Sequence, residues 1–131
     1  MTKLLRKIPW TLFVMAIILY LSFFKPPQTD LDKIPDFDKF VHIGMYGFLA
    51  TIAWIECLLR STTRFELLKT LKITFFAPII LSGMIELGQQ YLTTYRTGDW
   101  MDFAANCTGT ILAAALGYFV LRPWILKTHS K

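Results

Sequence analysis

The sequence is poor in charge and in long polar stretches. Only 18% of its 131 residues are Asp, Glu, Lys or Arg, and no segment outside the apolar runs exceeds about 15 residues. We therefore expect no separate soluble catalytic domain, so that any activity lies in the apolar helices and their short loops. With 54% hydrophobic residues, the composition predicts one small membrane domain over residues 1–131.

Cysteine and histidine are scarce, with two of each. Cys57 and Cys107 fall near opposite ends of predicted helices, and at about 1.5 Å of rise per residue they differ in depth by about 15–20 Å. A disulfide requires Cα atoms within about 7 Å, so these two cysteines are predicted not to pair. Neither residue type has the spacing of metal ligands, and no activated nucleophile motif is present. No metal and no cofactor are predicted.

What the chain has instead is four apolar segments. They predict an all-α bundle of four transmembrane helices at about 8–24, 40–59, 71–91 and 103–121. The first follows basic residues, as a signal peptide does, but no small-x-small cleavage site follows it, so we expect it to be retained. Pro78 is expected to kink the third helix. Glu56 and Arg60 are expected to form an i, i+4 ion pair.

The basic residues predict the orientation. With four spans, both termini lie on one side, which then carries ten of the 14 Lys and Arg residues. The positive-inside rule places that side in the cytoplasm. The net charge of +5 is therefore interpreted as a topology signal, and no nucleic-acid partner is expected.

Small residues recur at four-residue spacing in the fourth segment, at Gly109, Ala113 and Gly117. Such a stripe lets another helix approach closely, so we interpret it as a packing surface. It is also a candidate contact for a homo-oligomer.

Unusual polar residues gather at the outer ends of segments two, three and four. An ionisable residue inside a membrane is costly and marks a candidate functional site. Stripes at i, i+4 spacing on each helix are expected to face a shared cavity open to the outer surface. The candidate ligand-binding residues are Asp38, Lys39, His42, Tyr46, Glu86, Gln89, Gln90, Arg96, Asp99, Asp102 and Asn106.

A purely structural interpretation is also open, in which these groups form a hydrogen-bonded plug that sets helix packing. Asp38 and Asp102 each begin a predicted helix, where a carboxylate caps free N–H groups. Tyr46 then packs as an ordinary aromatic, and His42 lies at the interface. Glu86 and Arg96 fit this interpretation least, and we expect them to form a charge pair, directly or through a ligand.

The residue types define the chemistry such a site would offer. Lys39, His42 and Arg96 suit an anionic headgroup, since Arg binds phosphate or carboxylate in a bidentate way. Glu86, Asp102 and His42 are the candidate general acids or bases. Asn106 and the two glutamines would orient sugar or peptide groups.

The order of these residues is similar to that of a known family. The pattern runs Asp38-Lys39-x-x-His42-x-x-x-Tyr46, then Glu86 with Gln89 or Gln90, then Arg96-Thr97-Gly98-Asp99-x-x-Asp102-x-x-x-Asn106-x-x-Gly109. Over residues 36 to 118 or so it resembles the VanZ-like family. That resemblance implies a small helical multi-pass protein of bacterial inner membranes. The family's named member is associated with resistance to teicoplanin, a lipidated glycopeptide antibiotic.

Three functions are consistent with these observations. The first is a pocket that binds a cell-envelope lipid, a lipid-linked precursor or a lipidated antibiotic. The second is an enzyme, a hydrolase or transferase, acting on a lipid-linked phosphate. The third is a small transporter that uses Glu86 as its protonatable group.

Overall fold

The computed structural model describes residues 8–24, 30–60, 66–94 and 99–129, and within these ranges all regular structure is helical. Helix α1 is Pro9–Phe23 and α2 is Phe37–Leu59. Helix α3 is Leu67–Leu92. Helix α4 joins Trp100–Leu116, Gly117–Leu121 and Arg122–His129. A short 3₁₀ turn, Asp30–Lys33, precedes α2. The all-helical prediction is confirmed for the described residues.

Three of these helices are long and apolar enough to cross a membrane, by length and composition. They are Phe37–Leu59, Leu67–Leu92 and Trp100–Thr128. Helix α1 is apolar but has only 15 residues. Large apolar side chains cover the outside of the bundle, including Phe119 at 73% and Leu92 at 81% exposure. Such surface is rare on soluble monomers and is suited to lipid.

Three predicted helix starts were too late. Helix α2 begins at Phe37 and α4 at Trp100, three residues before the predicted 40 and 103. Helix α3 begins at Leu67, four residues before the predicted 71. The polar residues Asp38 and Asp102 belong to first turns, where acidic side chains favourably meet the helix dipole. Helix α4 also continues beyond residue 121.

The prolines of α3 and α4 both follow a π turn. The N–H of Ala77 donates to the carbonyl of Lys72, and that of Arg122 donates to the carbonyl of Gly117. Pro78 and Pro123 come directly after these donors. A π turn shifts the hydrogen-bond register by one residue. We attribute to this shift that each helix continues past its proline, which has no N–H to donate. The expected irregularity at Pro78 is therefore a π turn that precedes it.

Helices α2 and α4 pack most closely, through glycine. A Cβ on Gly109 would overlap the carbonyl oxygen of Ile43 and lie 2.9 Å from the backbone nitrogen of Gly47. A Cβ on Gly117 would overlap the indole of Trp54, which is fully buried. The small-residue stripe, with Ala113 3% exposed, thus packs inside the chain. Self-association through the stripe would have to displace this contact, and it stays a prediction.

We call the end of the bundle that holds Glu56 and the start of α1 the inner end, and the end that holds the starts of α2 and α4 the outer end. At the inner end, Glu56 makes an unexpected contact with α1. The carboxylate accepts hydrogen bonds from the N–H groups of Trp10 and Thr11, both at 2.9 Å, and from the Thr11 hydroxyl at 2.6 Å. Glu56 makes no ion pair with Arg60 in the described part of the chain, so that prediction was wrong. The first N–H groups of a helix have no acceptor within it, so those of α1 pair with the buried carboxylate of Glu56, which then needs no bond from the exposed Arg60.

The remaining core has two parts. Ile18, Tyr46, Leu49 and Ile85 form a cluster towards the outer end, and Trp54, Leu58 and Ile125 form one towards the inner end. Cys57 and Cys107 are both free, as predicted.

Candidate functional site

Lys39 lies at the centre of a cluster of carboxylates at the outer ends of α2 and α4. Its ammonium nitrogen is 2.8 Å from Asp38 Oδ2, 2.9 Å from Asp99 Oδ2 and 2.7 Å from Asp102 Oδ1. We call these four residues the Lys39 cluster. Its inner members are shielded, since the Lys39 and Asp102 side chains are 22% and 16% exposed. The ammonium charge is therefore neutralised by carboxylates of the same chain.

Asp99, and not Asp102, is the cap of α4. Its Oδ1 accepts the N–H of Met101 at 2.8 Å, while its Oδ2 binds Lys39. The neighbouring ammonium holds the pKa of Asp99 below its usual value. The capping interpretation of Asp102 was wrong because the helix begins one turn earlier, which turns Asp102 towards α2.

Asp38 is likewise not a cap. Asp36 occupies the N-cap position of α2, with a left-handed backbone at φ 59° and no side-chain capping bond. Aspartate tolerates this conformation better than most residues. Asp38 lies in the first turn, 61% exposed, and pairs with Lys39.

A chain of polar contacts, hydrogen-bonded from His42 onward, leads from the Lys39 cluster into the bundle. His42 Nε2 is 3.6 Å from Asp102 Oδ2, and His42 Nδ1 is 2.9 Å from Asn106 Oδ1. The Asn106 amide then donates to the hydroxyl of Ser82 at 2.7 Å. In this arrangement the carbonyl oxygen of Asn106 accepts, so His42 Nδ1 carries a hydrogen. Ser82 was missed in the sequence, although it lies four residues before Glu86 on the same helix face.

Glu86 connects α3 to the start of α4 and is only 3% exposed. Its Oε2 accepts the backbone N–H of Asp99 at 2.9 Å. Its Oε1 and the hydroxyl of Tyr46 are buried without a hydrogen-bond partner among the described residues. Arg96, and with it the predicted pairing of Glu86 with Arg96, lies outside the described residues.

The two glutamines have different surroundings. Gln89 is buried and its amide donates to the carbonyl of Ser22 at 2.7 Å, near the end of α1. Gln90 is exposed and lines a cavity. Of the two, only Gln90 faces the space that a ligand would enter.

That cavity has a volume of about 320 Å³ and lies between the end of α3 and the start of α4. Three polar residues, Glu86, Gln90 and Asp99, form one part of its lining. Leu87, Tyr91 and Trp100 form the other part, and the two aromatic rings are 78% and 66% exposed. The cavity therefore combines polar lining residues with an exposed apolar rim.

The predicted site residues that the structure describes thus fall into three groups. Direct contacts join most of them, namely Asp38, Lys39, His42, Glu86, Asp99, Asp102 and Asn106. Gln90 lies at the cavity, whereas Tyr46 and Gln89 are in the interior. Among the candidate acids and bases, His42 and Asp102 are neighbours. In the ranges that the structure describes, no three His, Cys, Asp or Glu side chains are arranged to hold a metal ion.

The chain also matches a known protein family. The sequence model described as VanZ/LLP1 matches residues 8–122, a range that includes the Lys39 cluster, Glu86 and the cavity. No curated protein and no solved structure matches the chain. The matched range covers most of the three long apolar helices, and the chain belongs to the VanZ/LLP1 family of membrane proteins.

Proposed function

We propose that the cavity between α3 and α4 binds the polar head of an amphiphile. The candidates are a cell-envelope lipid, a lipid-linked envelope precursor or a lipidated glycopeptide antibiotic. The observation that carries this proposal is the joint lining of the cavity by buried Glu86 and by the exposed rings of Tyr91 and Trp100. A polar head would meet the carboxylate while its apolar chain continued along the aromatic rim.

The size and position of the cavity support this proposal. About 320 Å³ is at the lower end of the range for small-molecule sites, which suits a headgroup better than a whole lipid. Tyr and Trp are enriched where a membrane meets water. With four spans and both termini in the cytoplasm, the cavity opens at the outer leaflet of a bacterial inner membrane. A cytoplasmic-membrane location and this orientation are part of the proposal.

The orientation has its own test by cysteine labelling. In a variant without Cys57 and Cys107, an outside-only thiol reagent should label a cysteine introduced at Thr97 and not one at Ser61. The opposite labelling pattern would overturn the proposed orientation.

A role in antibiotic resistance is the most specific form of the proposal. It rests on the family, whose named member is associated with teicoplanin resistance. An amphiphile-binding cavity at the outer leaflet would act where such a lipidated antibiotic meets the membrane. Whether the natural ligand is the drug or the lipid it competes with is decided by binding experiments.

An enzymatic function is the second candidate, and one observation favours it. Glu86 Oε1 is a buried acceptor without a partner in the described ranges, as a general base needs to be before substrate binds. The substrate class would be a lipid-linked phosphate, with hydrolysis or group transfer as the reaction.

One experiment separates binding from catalysis. The purified, lipid-reconstituted protein is incubated with isoprenoid phosphates, peptidoglycan precursors and common phospholipids, and mass spectrometry follows retained lipid and product. A retained, unchanged lipid supports the binding function, whereas a product that disappears in Glu86→Gln supports the enzyme.

A space-filling variant locates the site in the same experiment. Leu87→Trp fills the cavity, and Leu68→Trp changes another exposed leucine of α3 that does not line it. Lipid retention should fall in the first variant and stay normal in the second. Equal retention in both would refute binding at this cavity.

A further inference from the structure

The outer end of this membrane protein has an excess of negative charge. The stretches 25–42 and 86–106 together contain seven Asp and Glu residues against four Lys and Arg, a count that includes Arg96. Acidic groups therefore outnumber basic ones by three, even if Arg96 contributes its full charge. This excess opposes the sequence-based expectation of an anionic headgroup.

The ammonium group of Lys39 is not available to bind an anionic ligand. The Lys39 ammonium lies within 2.9 Å of three carboxylates, so a phosphate approaching it would have to displace them. The N-terminus of α4, which would otherwise attract anions, is also occupied. Asp99 accepts the N–H of Met101, and Asp102 lies in the first turn.

The cavity instead presents groups that recognise a cation. Glu86 Oε1 is buried without a partner in the described part of the chain, and Glu86 lines the cavity. An ammonium group would supply the missing donor as a charge-assisted hydrogen bond. The rings of Tyr91 and Trp100 line the same cavity, and aromatic faces attract ammonium groups within about 6 Å.

From these observations we infer that the cavity selects an amphiphile whose head carries a protonated amine, held by Glu86 and Gln90 beside Tyr91 and Trp100. This inference deepens the proposed function and rests on it. Two kinds of molecule carry such an amine: an amino-phospholipid, in its headgroup, and a single-chain amphiphile with a free amine.

The test compares ligands that carry a protonated amine with related ligands that do not. Dioleoyl phosphatidylethanolamine, its N-acetylated derivative and dioleoyl phosphatidylglycerol are titrated separately into the detergent-purified protein, and native mass spectrometry measures retention. Dodecylamine and N-acetyl dodecylamine form the single-chain arm. We expect each amine to bind at least about tenfold more tightly than its acetylated partner, because acetylation removes the charge and two donors. The arm with the larger ratio identifies the source.

Two variants and two matched controls assign the preference to the cavity. Glu86→Gln should abolish the preference for the amine, and Trp100→Leu should weaken amine binding about threefold. Glu66→Gln changes an exposed glutamate at the start of α3, and Trp124→Leu changes a similarly exposed tryptophan of α4. Both controls should leave the preference intact. Because Trp100 is exposed, its variant remains informative if Glu86→Gln fails to fold.

The outcomes separate this inference from the proposed function. If phosphatidylglycerol or an acetylated ligand binds as tightly as the amine, and Leu87→Trp abolishes that binding, the cavity binds amphiphiles but the amine selectivity is refuted. If no ligand responds to Leu87→Trp, the proposed function falls as well.

Discussion

Two glutamates lie deep in apolar helices of this protein, and their surroundings differ. Glu56, 5% exposed at the inner end, accepts three hydrogen bonds with both oxygens from Trp10 and Thr11. Glu86, 3% exposed at the outer end, uses one oxygen for Asp99 and has the other unpartnered among the described residues. Burial alone does not distinguish the two residues. Their hydrogen bonds do.

The difference separates a structural carboxylate from a candidate functional one. A buried charge is retained at a cost unless hydrogen bonds compensate it. Glu56 is compensated by the otherwise unpaired N–H groups of α1, so it explains how a short helix is held to α2. Glu86 is compensated only in part, and it borders a cavity. A ligand would contribute the most binding energy where a buried carboxylate at a cavity lacks hydrogen bonds.

The largest expected effect is that of Glu56→Gln. The amide nitrogen would face N–H donors, so buried donors would lose their acceptor at a cost of about 3 kcal/mol. Thermal unfolding of the detergent-solubilised protein should shift to clearly lower temperature, with less protein in the membrane. Glu66→Gln, at an exposed position, is the control. If Glu56→Gln were as stable as this control, Glu56 would not hold α1.

The second effect concerns packing at the two ends. Gly117→Ala places a methyl group into the Trp54 indole at the inner end, and overpacking of this kind costs about 2 kcal/mol. Gly44→Ala at the outer end meets nothing within 4 Å and should leave the unfolding temperature almost unchanged. Equal effects of the two substitutions would contradict the close contact between Gly117 and the Trp54 indole.

Glu86→Gln should affect stability less than either destabilising change. The amide retains an oxygen for the N–H of Asp99, and its NH₂ group replaces an oxygen that has no partner in the described ranges. We expect a change in unfolding free energy below about 1 kcal/mol, together with loss of ligand retention. A large loss of stability with no loss of binding would make Glu86 a structural residue like Glu56.

The smallest effect is the pH dependence due to Asp99. Because Lys39 lowers its pKa, Asp99 stabilises the fold above the ordinary aspartate pKa of about 3.9. That stabilisation is lost as the pH falls through the lower pKa of the folded state. Solvent screening keeps the effect small, since the side chain is 43% exposed. The unfolding temperature of the wild type should therefore fall more than that of Asp99→Asn on acidification to about pH 2.

A control accompanies this measurement. Asp30→Asn, at a side chain 95% exposed in its pair with Lys33, should retain the wild-type pH dependence. If it lost as much of that dependence as Asp99→Asn, the acid response would not be specific to the Lys39 cluster.

The sequence predicted the helices well because apolar runs of this length have few alternatives. It also predicted that His42, Glu86, Asp102 and Asn106 lie near one another, since i, i+4 spacing and topology act together. The partners of Glu56 were beyond it, because Trp10 and Thr11 are more than 40 positions away and backbone N–H groups have no residue signature. The same reason hid the bond from Gln89 to the Ser22 carbonyl.

The pairing of charges was the second thing that residue types alone did not reveal. Lys39 suggested an anion site, as a lysine among polar residues often does. Only the geometry shows that three carboxylates already surround it. The candidate site was thus predicted from residue types, while the sign of the charge proposed for its ligand depends on pairings between α2 and α4.

Asp99 has one further consequence. Its Oδ1 caps α4, its Oδ2 binds Lys39 of α2, and its N–H donates to Glu86 of α3. Three helices thus share one residue, so substitutions at Lys39 and Glu86 both act on Asp99. Residues that share a partner in this way show non-additive effects in double-mutant cycles. Sequence change at this end of the protein is therefore expected to be epistatic, with Asp99 the residue least free to vary alone.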